Sequence, residues 1–140
     1  PRFPVMPGVL MLEALYQSSA WLVRATEDFQ HSIVLLKEAR NVKYGSFVKP
    51  GQALRIEANI VKHDAGVTSL KGQAYVGEEM AVSARLVLER FNLADRRPAR
   101  AASDETVCRA LRQQFRILYS PPQLSASQRP VSHPAERVGV

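Results

Sequence analysis

A single carboxylate, Glu13, stands inside the most hydrophobic segment of the chain. Eleven of the 15 residues from Val9 to Val23 are apolar, and Gln17 follows Glu13 by four positions, which places both on one helical face. Because a carboxyl group in an apolar setting has a raised pKa, it can donate a proton near neutral pH. We therefore expect Glu13 to act as a general acid whose orientation Gln17 holds. The same pattern fits a buried structural carboxylate, bonded to a strand or to a partner subunit.

Gly8 marks a second candidate position, at the start of the same helical segment. It follows Pro7, which offers no N–H. The first N–H groups of a helix have no partner within the helix and carry the positive end of its dipole. A glycine there lets a ligand approach the backbone closely, so the pattern predicts a site for developing negative charge, as in an oxyanion hole. An ordinary helix start has the same sequence.

Composition and the remaining polar residues exclude several classes of protein. The net charge of +6 comes from 19 Lys+Arg and 13 Asp+Glu, but no basic run exceeds two residues. We expect no nucleic-acid partner, whereas an acidic protein partner fits this charge. The lone Cys108 excludes an internal disulfide and a structural zinc site, and no apolar run reaches the ~20 residues that cross a bilayer. We expect no metal, no cofactor and no membrane partner, and we expect three surface histidines, namely His31, His63 and His133.

The elements that must position Glu13 and Gly8 are a long helix and a sheet. Pro7 and Gly8 punctuate the start of a predicted helix from Val9 to Thr26. Because this helix is apolar nearly all round, we expect it to be buried on all sides. The chain from about Ile33 to Phe91 has strand-like patterns and turn chemistry. The predicted strands are 33–36, 39–44, 54–60, 67–76 and 80–91, with turns at Pro50-Gly51, 63–66 and Gly77-Glu78. The layout is α+β, with an antiparallel sheet wrapped around the helix.

A second helix is predicted near the C-terminus, from Ser103 to Tyr119. Ser103 is a candidate cap, and the acidic residues that follow it suit the helix N-terminus. One apolar stripe is expected to dock on the sheet, formed by Val107, Leu111, Phe115 and Leu118. We expect one domain over 1–91, a linker and amphipathic helix over 92–119, and a disordered tail over 120–140.

The segment around Glu13 resembles a known family. Residues 3–17 read Phe-Pro-Val-Met-Pro-Gly-Val-Leu-Met-Leu-Glu-Ala-Leu-Tyr-Gln, which is closely similar to the active-site segment of the 3-hydroxyacyl-(acyl carrier protein) dehydratases of the FabZ/FabA type. Further similarity occurs at 39–44, 48–52 and 71–74, so the resemblance covers about Pro1 to Glu89. It implies the hot-dog fold, and a homodimer that often assembles into a hexamer as a trimer of dimers. It also implies an acyl chain in a tunnel at the subunit interface.

The resemblance also implies roles for individual residues. In the family, a His of a His-Phe-Pro motif and a Glu of the opposite subunit form the catalytic pair. The Glu corresponds to Glu13, the helix-start amide that binds the thioester carbonyl to Gly8, and a backbone contact near the hydroxyl to Val5. Counted along the motif, the His falls two residues before Pro1, so it is expected upstream of this chain.

The implied reaction is dehydration of a 3-hydroxyacyl thioester to the trans-2-enoyl thioester in fatty acid biosynthesis. The substrate would arrive on the phosphopantetheine arm of an acidic acyl carrier protein, in the cytoplasm. Two other functions stay open. One is another hot-dog enzyme, either an acyl thioesterase or an enoyl-CoA hydratase. The other is a non-catalytic acyl-binding or assembly module.

Overall fold

The computed structural model describes residues 4–119, which form an antiparallel sheet with helices packed against it. The predicted first helix begins one residue early, at Gly8, and the predicted tail lies outside the described residues. In chain order the elements are α1 Gly8–Thr26, β1 Ile33–Tyr44, β2 Arg55–Asp64, β3 Val67–Val76, β4 Glu79–Phe91, α2 Leu93–Arg96, a short 3-10 turn Pro98–Arg100, and α3 Ala101–Leu118. The α+β, hot-dog layout expected from the sequence is confirmed.

The four strands pair in the order β1-β4-β3-β2, and every pair is antiparallel. Gly77 has φ of 58° in the two-residue turn between β3 and β4, as the Gly-X hairpin pattern predicts. The two runs predicted at 33–36 and 39–44 join into the single strand β1. Its register against β4 shifts after Leu36 and after Arg40, and Asn41 has φ of 51° at the second shift. These irregularities bend one strand, where the sequence suggested two.

The core lies between α1 and the sheet. Leu15 and Val23 on α1 are fully buried, and they pack with Leu86 and Leu88 on β4. A Cβ atom at Gly72 on β3 would lie 2.7 Å from Leu15 Cδ1, so the glycine leaves room for Leu15 to rest directly on the sheet.

The expectation that α1 is buried on all sides is wrong for the described chain. Val9 is 68% exposed and Leu10 is 52% exposed, and Glu13 and Gln17 are also exposed. A four-stranded sheet contacts one face of a helix, so the opposite face of α1 needs another cover. On the C-terminal half of α1, helix α3 supplies part of that cover: the Phe115 ring centroid lies 5.9 Å from that of Trp21.

The C-terminal helices are tied to the sheet domain through Asp104. Its buried carboxylate accepts the N–H groups of Leu93 and Ala94 at 2.8 Å each, and also the hydroxyl of Ser32. Asp104 therefore caps α2 and not its own helix. The predicted Ser103 cap is wrong, because α3 already begins at Ala101 and has no side-chain cap bond.

The apolar stripe predicted for α3 is only partly confirmed, since its Phe115 ring packs on Trp21 of α1 and on Phe29 where docking on the sheet was expected. Val107, Leu111 and Phe115 are half-buried, whereas Leu118 is 64% exposed. Leu118 is the last residue of the helix and extends beyond the surface against which α3 packs. Within residues 4–119, no helix is long and apolar enough to span a membrane.

Candidate active site

The segment that leads into α1 is held against the loop before Pro50. The Met6 N–H donates to the Val48 carbonyl at 2.8 Å. In that loop Gly51 has φ of 82°, and the Gln52 N–H donates to the Lys49 carbonyl at 3.2 Å, which are the features of the predicted type II turn.

An apolar cleft of about 390 Å³ lies between the two segments, and Val5, Met6, Leu10 and Val48 contribute to its walls. Val5 is 42% exposed. The structure thus places Val5 at the rim of a cleft beside the start of α1.

The start of α1 presents free backbone donors. Pro7 precedes the helix, and its carbonyl accepts the N–H groups of Leu10 at 3.0 Å and Met11 at 3.4 Å. In the described part of the chain, the N–H groups of Gly8 and Val9 donate to no backbone carbonyl. They point beyond the helix end, where they can stabilise negative charge on a ligand.

Gly8 also has a packing partner that the sequence did not indicate. A Cβ atom at Gly8 would lie 2.9 Å from Cε1 of Tyr44, which is half exposed at the end of β1. No local pattern signals this contact, because 36 positions of sequence and a strand separate the two residues. The absence of a side chain at Gly8 therefore allows both ligand approach and the position of the Tyr44 ring.

Glu13 and Gln17 interact as their spacing predicts. The Gln17 amide donates to Glu13 Oε1 at 2.9 Å. Both side chains are exposed, so the expected burial of Glu13 is wrong for the described chain: the sheet covers the opposite face of α1. The carboxylate is free to reach a group outside its own chain.

Gly8 and Glu13 do not converge on one point within a chain. Five residues of α-helix separate them by about 7.5 Å along the axis and about 140° around it. A small reacting group at the Gly8 amide would therefore not face the Glu13 carboxylate of the same chain.

The two described histidines lie far from this helix start. The His31 Nδ1 atom is 3.0 Å from Glu27 Oε2, just beyond the C-terminal end of α1. The His63 ring contacts Thr68 Oγ1 at 2.9 Å and Arg90 Nη1 at 3.0 Å. His63 is exposed, as expected, although its ring is hydrogen-bonded. The His31 side chain is only 25% exposed, so it is less of a surface histidine than we expected. His133 lies outside the described residues.

These histidines flank an ion pair that the sequence did not reveal. Arg90 on β4 pairs with Glu27, and their side chains are 4% and 5% exposed. The Arg90 guanidinium also donates to the carbonyls of Asp64 and Val67. Burial lowers the pKa of Arg90 from its usual value. Glu27 is a partner of both histidines, and the cluster borders a cavity of about 660 Å³.

The geometry does not assemble a metal site. Within residues 4–119, no three His, Cys, Asp or Glu side chains are grouped so that they could hold a metal ion.

Comparisons with known proteins place this chain in a family. The FabA-like domain family matches residues 1–85, which include Val5, Gly8, Glu13 and Gln17. The 3-hydroxyacyl-(acyl carrier protein) dehydratase FabZ of Clostridium kluyveri is 37% identical over 87 residues, which are 62% of this chain and 60% of that protein. FabZ of Moorella thermoacetica is 39% identical over 87 residues, covering 62% of this chain and 61% of that protein. The chain therefore spans about 60% of the length of these relatives.

A solved structure has a similar fold. The hexameric thioesterase of Yersinia pestis aligns with a TM-score of 0.55 and 15% identity, over 64% of this chain and 75% of that one. At this identity the likeness extends to the fold alone. The family match over residues 1–85, which contain the helix start and the Glu13–Gln17 pair, shows that the chain belongs to the FabA-like domain family.

Proposed function

We propose that the protein containing this chain removes water from a 3-hydroxyacyl thioester on an acyl carrier protein, giving the trans-2-enoyl thioester, in fatty acid biosynthesis. The observation that carries the proposal is the arrangement on α1: free N–H groups at Gly8 and an exposed, hydrogen-bonded Glu13 five residues on. Sequence identity of 37% and 39% to two FabZ dehydratases, each over 87 residues, supports it.

Each residue has a distinct role in the proposed reaction. The Gly8 N–H stabilises the charge that builds on the thioester oxygen when the C2 proton leaves. The Val5 backbone contacts the substrate near its hydroxyl. Glu13, oriented by Gln17, assists departure of the C3 hydroxyl as water. The base that takes the C2 proton is the histidine that the family motif places two residues before Pro1.

The proposed enzyme is a homodimer in which Glu13 of one subunit serves the helix start of the other. The separation of Gly8 and Glu13 around α1 supports this arrangement, as do the exposed apolar side chains of Val9 and Leu10 beside Glu13. Assembly of three such dimers into a hexamer, and a cytoplasmic location, stay predictions. The net charge of +6 suits an acidic carrier protein.

Product analysis with a protein that includes the residues before Pro1 tests the proposal. We expect 3-hydroxyacyl thioester to yield enoyl thioester, and Glu13→Gln to lower kcat by about 10² to 10⁴. Glu105→Gln, on an exposed turn of α3, is the matched control and should leave kcat unchanged. Release of free acid instead of enoyl thioester would identify a thioesterase, and a fully active Glu13→Gln variant would exclude the role of this carboxylate.

A further inference from the structure

A second apolar cavity lies farther along α1, outside the cleft at Val5. Its volume is about 650 Å³, within the range of pockets that hold small ligands. The walls come from α1, from β2 and from the end of α3, and they include Trp21, Leu22, Ala25, Ile56, Phe115 and Tyr119. Among the described residues, no charged side chain lines it. Such walls suit a hydrocarbon and not a polar ligand.

The cavity continues the face of α1 that carries Glu13 and Gln17. Trp21 follows Gln17 by four residues, so the two side chains lie on one side of the helix. At 1.5 Å per residue, Trp21 is about 12 Å beyond Glu13 along the axis. A chain that starts at a reacting group near Glu13 and runs along this face reaches the cavity.

The far wall of the cavity comes from outside the family domain. Phe115 belongs to α3, whereas the FabA-like match ends at residue 85. The Phe115 ring is held from three sides, with centroid distances of 5.9 Å to Trp21, 5.5 Å to Phe29 and 5.2 Å to Tyr119. Contacts of Asp104 with α2 and with Ser32 anchor the helix that carries it. Phe115 is therefore a fixed wall.

We propose that this cavity takes the distal part of the acyl chain and that α3, through Phe115, limits the length of chain that binds. The proposal rests on the proposed function, because it deepens the same substrate site. It makes α3 a determinant of specificity, and it assigns an acyl group of medium length as the occupant.

Trp21 provides a direct readout, because it is the single tryptophan of the sequence and lines the cavity. The protein is titrated with unreactive thioether analogues of acyl-pantetheine that carry butyl, octyl, dodecyl or hexadecyl chains. We expect Trp21 emission to respond to the octyl and dodecyl analogues and not to the butyl one. Affinity should rise about fourfold for each methylene that becomes buried, then stop rising once the chain meets Phe115.

Ala25 is exposed on α1 and lines the cavity, so Ala25→Phe narrows the cavity without deleting a buried side chain. It should abolish the gain in affinity beyond short chains and leave binding of the octyl analogue weaker by at least tenfold. Ala110→Phe makes the same change on an exposed turn of α3 and should leave the whole series unchanged. Phe115→Ala should extend the rise in affinity to the hexadecyl analogue.

The outcomes separate this proposal from the proposed function. If Trp21 emission depends on chain length but the protein shows no dehydratase turnover, acyl binding in the cavity is upheld and the proposed reaction is refuted. Turnover with no response of Trp21, or an Ala25→Phe series identical to that of the unchanged protein, would refute the cavity and leave the reaction standing. If Ala25→Phe instead shifts the oligomeric state in light scattering while acyl affinity is unaltered, the surface is an interface between copies and the proposal is wrong.

Discussion

Replacing Arg90 by Met should destabilise the protein far more than replacing an exposed arginine. Arg90 and Glu27 are 4% and 5% exposed, so Arg90→Met leaves a buried carboxylate without its cation. Breaking a buried ion pair in this way costs about 3–5 kcal/mol. His31 remains hydrogen-bonded to Glu27, so the lower value, about 3 kcal/mol, is expected. For a chain of this size, that corresponds to a fall in Tm of roughly 10 °C.

Thermal and urea denaturation, followed by circular dichroism, measure this loss. The matched control is Arg96→Met: Arg96 is 64% exposed and 3.9 Å from Glu89, so its loss should cost less than about 1 kcal/mol. The double variant Glu27→Gln/Arg90→Met removes both charges and should be more stable than Arg90→Met alone.

The double variant provides the decisive comparison. If it were less stable than Arg90→Met alone, the loss would not come from an unpaired buried carboxylate. A cost of Arg90→Met no greater than that of Arg96→Met would equally refute the importance of the pair.

Two further predictions concern the helix start and the cap of α2. Gly8→Val should lower kcat/KM, measured by steady-state kinetics, because the new side chain blocks approach to the free amides. The loss should persist in Gly8→Val/Tyr44→Ala, which relieves the conflict with the Tyr44 ring. Recovery of kcat/KM in the double variant would show that Gly8→Val disturbed only the packing. Burial opposes ionisation of Asp104, but hydrogen bonds from Ser32, Ala94 and Leu93 outweigh it and hold its pKa below the usual value. The contribution of the Asp104 carboxylate to stability is therefore complete above the ordinary Asp pKa of about 3.9 and is lost as the pH falls through the lowered pKa. The melting curves of wild type and Asp104→Asn should differ at neutral pH and converge in acid.

Local backbone chemistry made much of the fold predictable. Proline and glycine at 7–8 mark where α1 begins: Pro7 has an extended ψ of 142° and lies just before the first helical residue, Gly8. The Pro50-Gly51 and Gly77-Glu78 turns were predictable because only glycine readily adopts the positive φ that those positions require. The Glu13–Gln17 bond follows from helical spacing alone.

The errors concern information that a short segment does not hold. Whether Glu13 is buried depends on which face of α1 the sheet covers, and an apolar helix gives no indication of that face. Glu27 and Arg90 are 63 positions apart, and only the packing of α1 on β4 brings them together. Asp104 satisfies amides of another helix because α2 and α3 fold back on each other, which its own neighbours in sequence do not reveal.

The length of β4 bears on how a minimal version of this protein can be cut. The family match ends at residue 85, yet β4 continues to Phe91 and hydrogen-bonds to β1 on one side and β3 on the other. Truncation at the family boundary would delete Leu86, Leu88 and Arg90 and leave both neighbouring strands with unsatisfied amides and carbonyls. The smallest fragment that folds should therefore be sought beyond residue 91, and the tie between Ser32 and Asp104 favours retaining α3 as well.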